Sequence, residues 1–240
     1  MAGGGARTID VEPRPRGLFP EAARERRSAV SLRGVTRVFG SFPALIGVHL
    51  DVPSGETMLV RGPNGAGKST LLRLIATVLR PTFGNGSVLG HDLWTDASSI
   101  RSRTEWLGHR TRFYDDLTGA ENLRFACELH GADPARLGPA LARVGLTRAA
   151  DSAVRAYSHG MRQRLALGRL LLRDPELLLL DEPYAGLDED GKDLVDDIVR
   201  DAHRRGRTVV VATHERERAG IATTIAAMDG GRLVAEATDR

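Results

Sequence analysis

An intrachain disulfide is excluded by count, because the 240-residue chain holds one cysteine, Cys127. A lone thiol agrees with a reducing compartment, and a cytoplasmic setting is expected. Aromatic residues reach only 5 %, and no basic stripe interleaved with them runs along the chain, so no nucleic-acid partner is expected. No apolar run approaches the roughly 18 residues that a membrane-spanning helix requires. Residues 1–28, rich in Gly, Pro and Arg, lack the apolar centre of a secretory signal and read as a disordered, solvated extension. Internal repeats and a low-complexity core are missing as well.

What is present is ordinary globular material, 41 % hydrophobic and 27 % charged, with a formal net charge of +3. The pI of 9.5 reflects an arginine-rich composition suited to a phosphate ligand or an acidic surface. The length allows one α/β domain, residues 29–240, with a helical subdomain inserted at about 98–172.

Val30–Leu32, Ile46–Val52 and Met58–Arg61 are short, β-branched or alternating segments separated by Gly, Ser and Pro, which predicts a β-rich start. From Ser69 the apolar residues Leu71, Leu72, Leu74, Ile75, Val78 and Leu79 recur at helical spacing, and Pro81 with Gly84 is expected to end that helix. Residues of about 115–172 are helical in pattern, with Leu137, Leu141 and Val144 on one face and Gly131, Asp133 and Pro134 as punctuation. Leu177–Leu180 and Val209–Ala212 are continuous apolar runs between helical patterns, the mark of buried parallel strands. Thr223–Met228 and Arg232–Ala235 flank Asp229, Gly230 and Gly231, a hairpin signal.

The chemistry begins at Gly62, Pro63, Asn64, Gly65, Ala66, Gly67, Lys68, Ser69 and Thr70, which satisfy G-x-x-x-x-G-K-[ST] after a strand and at the start of a helix. Glycines let successive backbone N–H groups converge on a phosphate, and the helix N-terminus adds its own donors. Lys68 then reaches the outer phosphate oxygens, and the Ser69 hydroxyl is placed to coordinate Mg²⁺. The run Leu177–Leu180 delivers Asp181 and Glu182 together at the carboxyl edge of the sheet. Asp181 suits a water-mediated Mg²⁺ ligand, and Glu182 suits the base or water-orienting group for attack on a γ-phosphate. His214 follows the other apolar run and is expected on the same edge, near Glu182.

Adding Tyr157, Ser158, His159, Gly160 and Met161, with Arg162 and Gln163 behind them and Gly186-Leu187-Asp188 after the acidic strand, makes the chain resemble the ATP-binding cassette (ABC) family over about residues 29–235. The resemblance implies a P-loop NTPase ABC ATPase core with a mixed β-sheet, an N-terminal antiparallel β subdomain and an inserted helical subdomain. It also implies ATP and Mg²⁺ as ligands. Two copies, or two paired ATPase subunits, would sandwich two ATPs head to tail, with Ser158 and Gly160 gripping the γ-phosphate held by the opposite subunit. His159 and Met161 complete that signature, and Asp188 would lie at the seam. Phe39 falls where the family stacks an aromatic on adenine; a buried core phenylalanine is the alternative.

Two departures stand out. The signature reads Tyr157-Ser158-His159-Gly160-Met161 where Leu-Ser-Gly-Gly-Gln is commoner, and the glutamine that touches Mg²⁺ in the family is replaced after Gly108-His109 by Arg110. Arginine only donates hydrogen bonds, so it cannot coordinate a cation; a γ-phosphate contact, an acidic partner and a displaced surface arginine stay open. The family places substrate contacts in separate membrane permease chains, so the implied function is a transport ATPase, peripheral on the inner face of the cell membrane. Trp106-Leu107-Gly108-His109 with Asp116-Leu117-Thr118 and Glu121-Asn122-Leu123 is similar to the ATPase subunit of the heme exporter for cytochrome c maturation. Drug or lipid export through another permease, and a nucleotide-sensing module with weak hydrolysis, are the alternatives.

Overall fold

The computed structural model describes residues 28–108, 111–215 and 219–234. The expected N-terminal extension lies outside these residues except for Ser28, which opens the first strand, and Arg110 and Ala235 lie outside them too.

Strands β1 (Ser28–Phe39), β2 (Phe42–Pro53), β4 (Phe83–Val88) and β5 (His91–Asp92) form an antiparallel sheet in the order β2-β1-β4-β5. β1 and β2 are longer than the sequence pattern suggests, because register shifts between Leu32 and Val35 and again around Arg37 break the alternation that marks a strand.

The second sheet joins β3 (Thr57–Arg61), β6 (Thr104–Leu107), β7 (Leu177–Asp181), β8 (Thr208–Thr213), β9 (Thr224–Asp229) and β10 (Arg232–Val234) in the order β10-β9-β3-β8-β7-β6. Five of these strands run parallel and β10 closes the edge antiparallel, so the sheet is mixed. Successive residues of a strand face opposite sides. Leu178, Leu180, Val209 and Val211 therefore pack against a helical layer, whereas Leu177, Leu179, Val210 and Ala212 pack against helix α1 (Lys68–Ile75) and the antiparallel sheet. Both faces are covered, which is why these runs carry no polar alternation.

The helical layer contains α3 (Gly119–His130), α4 (Leu137–Arg143), α5 (His159–Leu171) and α6 (Glu189–Arg204). A reciprocal capping box between Thr118 and Glu121 starts α3, Gly131 at φ 61° ends it, and Asp133 caps the turn at Pro134, as the punctuation implied. The short helix α2 (Ala97–Arg103) leads into β6, which pairs with β7, so this part of the stretch expected to be helical stands in the sheet.

The first helix is shorter than expected. α1 stops at Ile75 and does not continue to Leu79: Thr77 turns left-handed at φ 57°, and the Val78 N–H reaches back to the Arg73 carbonyl at 2.8 Å, a Schellman-type closure. Val78 and Leu79 keep helical spacing, which hides the stop. Gly84, expected to help end the helix, belongs to β4. Among the described residues no helix is long and apolar enough to cross a membrane.

Candidate functional site

Strands β3, β8 and β7 lie side by side in register, with Arg61 opposite Thr213 and Asp181 opposite Ala212. Their carboxyl ends therefore finish at one level. From there β3 runs into the glycine loop, β7 delivers Asp181 and Glu182, and β8 delivers His214.

Gly67, the last loop residue before α1, has φ 105°, and a Cβ there would lie 2.6 Å from the Ala44 carbonyl. Only glycine lets the loop lie this close to β2. Lys68 opens α1 and is 5 % exposed. Its Nζ donates to the carbonyls of Gly62 (2.7 Å) and Pro63 (3.2 Å) and stands 3.4 Å from Glu182 Oε1. The Ser69 hydroxyl donates to Asp181 Oδ1 at 2.8 Å. Glu182 Oε2 meets His214 Nδ1 at 2.9 Å, and the Glu182 N–H bonds the Ala212 carbonyl. The P-loop, the acidic pair and the histidine are thus one contiguous cluster.

Glu182 has φ 52° and precedes Pro183. A left-handed non-glycine residue costs on the order of 1–3 kcal/mol and persists only where its surroundings over-determine it. The backbone bond to Ala212, together with Lys68 and His214, holds the carboxylate in place despite that cost.

No cluster of three or more His, Cys, Asp or Glu among the described residues forms a metal cage. Ser69 and Asp181 offer two hard oxygen donors side by side beneath the glycine loop, which fits Mg²⁺, an ion held by few protein oxygens together with phosphates.

Phe39 ends β1 and is 43 % exposed, so it is not a core residue. The Arg37 guanidinium lies 4.5 Å from the centre of its ring. Phe39 is paired with Phe42 across the hairpin, two residues before Ala44, whose carbonyl faces the glycine loop.

Ser158 caps α5, its hydroxyl accepting from the Met161 N–H at 3.2 Å. Tyr157, in place of the usual leucine, is buried and donates its hydroxyl to the Ala149 carbonyl at 2.6 Å, so that departure serves the helical core. His159 packs on Gly186, whose φ is 73° and where a Cβ would collide with the imidazole. Asp188 caps α6 through the Gly191 N–H and accepts from Arg164 at 2.7 Å; that arginine, and then the backbone N–H, hold its carboxyl below the usual range.

Gln163, which the sequence places just behind the signature, has a role the motif alone does not reveal. It is 5 % exposed and donates from Nε2 to the Pro183 carbonyl at 3.0 Å. The available signal was its place on the apolar stripe of α5, in line with Ala166, Leu167 and Leu170. A polar residue on a buried stripe calls for a partner.

Residues 45–185 match the family model described as ABC transporter. The daunorubicin/doxorubicin resistance ATP-binding protein DrrA of Streptomyces peucetius is 39 % identical over 88 % of this chain, which spans 65 % of that protein's length. The cytochrome c biogenesis ATP-binding export protein CcmA 2 of Cupriavidus metallidurans is 36 % identical over 88 % of this chain and 98 % of its own. Among solved structures, the ATP-binding cassette MJ0796, a dimer in a post-hydrolysis state bound to ADP and Pi, superposes with a TM-score of 0.79 at 26 % identity, over 85 % of this chain and 96 % of that one.

Proposed function

Given that this chain belongs to the ABC transporter family and has the fold of its ATPase cassettes, we propose that it binds and hydrolyses ATP to drive export through separate membrane permease chains. The observation that carries the reading is the contiguous cluster Lys68–Glu182–His214 with Ser69–Asp181 at one sheet edge. The chain works as a pair around two ATPs, on the cytoplasmic face of the cell membrane.

Residues 62–70 cradle the phosphates with backbone N–H groups, and Lys68, now spread over two loop carbonyls, turns to the β and γ oxygens. Ser69 and Asp181 would hold Mg²⁺, which supplies neutralisation of phosphate charge. Glu182 orients a water and takes its proton as the water oxygen bonds the γ-phosphorus and the bond to the ADP oxygen breaks. His214 fixes Oε2 of Glu182, leaving Oε1 toward Lys68. Phe39 stacks on adenine with the face that Arg37 leaves open. Ser158 and Gly160 of one copy, at the N-terminus of α5, meet the γ-phosphate held by the other, with His159, Met161 and Asp188 at the seam.

Exposed Tyr114, Phe125 and Leu129 support a permease contact on the helical layer. Tyr114 and Phe125 meet edge to face at 5.2 Å, and buried Asn122 pins the Tyr114 backbone through both its N–H and its carbonyl.

For the cargo, heme export in cytochrome c biogenesis is supported by CcmA 2, matched over 98 % of its length. Drug export is supported by DrrA. The test is ATP turnover by the purified chain with its co-purifying permease. Turnover that disappears in Glu182→Gln supports the ATPase; none in the wild-type complex would instead indicate a nucleotide-sensing module.

A further inference from the structure

We infer that Gln163 is a positioning residue for Glu182: it ties the signature helix to the backbone just past the catalytic carboxylate of the same subunit. The inference rests on the hydrolytic role proposed for Glu182.

Glu182 combines a left-handed φ of 52° with a following proline, and backbone sterics oppose both. Such a residue stays in place only through several restraints. One is the Glu182 N–H bond to Ala212 of β8 at 2.8 Å. A second is the turn closed by the Ala185 N–H on the Glu182 carbonyl at 3.2 Å. A third is the buried bond from the Tyr184 hydroxyl to Asp196 of α6 at 2.8 Å. These three come from the sheet, the turn itself and α6. The fourth comes from α5, where buried Gln163 donates to the Pro183 carbonyl at 3.0 Å.

That bond is not an isolated one. His159 and Gly160, one turn before Gln163, abut Gly186, and Arg164 reaches Asp188 at 2.7 Å. Residues three and four apart share a helix face, so one face of α5 grips residues 183, 186 and 188 in succession. Ser158 caps the same helix. A shift of α5 therefore reaches Pro183, one residue from Glu182, and the amide works there in a buried, low-dielectric site where a lost hydrogen bond is not replaced by water.

The test uses the full chain with its co-purifying permease. Gln163→Leu keeps similar bulk without a donor, and Gln163→Glu keeps the shape but sets a carboxylate against a carbonyl. Expected is a fall in kcat of about 10- to 100-fold, with affinity for a fluorescent ATP analogue held within about twofold. In Gln163→Glu, kcat relative to wild type recovers as pH falls, because a buried carboxyl regains its proton readily and donates again. Gln163→Leu added to Glu182→Gln costs no further turnover, since both act through one group. Wild-type kcat in both single variants, parallel losses of affinity and turnover, or an additive loss in the double variant overturns the inference while leaving the ATPase reading intact. Turnover that survives Glu182→Gln overturns the hydrolytic role of Glu182 itself, whatever the Gln163 variants do.

Discussion

The six-stranded sheet ends in charged residues at both edges, and the two edges treat them differently. At the amino edge, Arg103 grips Glu176 through two bonds of 2.6 Å, and Arg207 and Arg205 converge on Asp174. Each carboxylate there is met directly by guanidinium groups, one at Glu176 and two at Asp174. At the carboxyl edge, Lys68 is spread over two carbonyls and a carboxylate at 3.4 Å, and Glu182 is shared between that lysine and an exposed histidine. The first arrangement is complete; the second keeps donors that an incoming phosphate can recruit. Similar residue types therefore close on one another at one end of the strands and stay recruitable at the other, where the proposed chemistry lies, in keeping with ligand binding at the carboxyl ends of parallel strands.

The hardest blow to the carboxyl edge is Glu182→Gln, which keeps the shape and removes the proposed base. Turnover should drop by about 10²- to 10⁴-fold, with the melting temperature close to wild type. A fall in stability of comparable size would mean that Glu182 holds the fold, and the contrast between the edges would collapse. Leu179→Ala probes the strand between them. Leu179 is fully buried in the middle of β7, so truncation should destabilise by about 2–5 kcal/mol in denaturant unfolding while turnover per folded molecule persists.

Phe39→Ala leaves both edges alone. It should weaken ATP binding by about 1–3 kcal/mol in equilibrium titration, the usual value of base stacking, without touching kcat. Unchanged affinity would detach Phe39 from the base.

What could be read in advance follows the physics of each part. β7 and β8 are legible because burial on both faces leaves the continuous apolar runs Leu177–Leu180 and Val209–Ala212, and the glycine loop is legible because a phosphate cradle dictates residue types at fixed spacing. β4 was not, since Phe83-Gly84-Asn85-Gly86 carries no alternation and is held in place by pairing to β1. The end of α1 was hidden by a left-handed threonine doing the work of glycine. Gln163 shows a third limit: its partner is a backbone carbonyl twenty residues away, and no side-chain pattern announces a carbonyl.

The smallest effect belongs to the amino edge, in Glu176→Gln. Arg103 holds the Glu176 carboxyl below the usual range, chiefly by its hydrogen bonds and then by its charge. A carboxyl lowered in the folded state contributes stability above its unfolded value, and that contribution is lost as pH falls through the folded one. The pair is more than a third exposed on both sides, so screening limits it to less than about 1 kcal/mol. Melting curves of wild type and variant should differ at neutral pH and low salt, approach each other in high salt, and converge as the pH falls through the lowered titration of the Glu176 carboxyl, with ATP turnover the same in both. A turnover defect in Glu176→Gln would show that the amino edge is not silent, and would undo the division of labour between the two ends of the sheet.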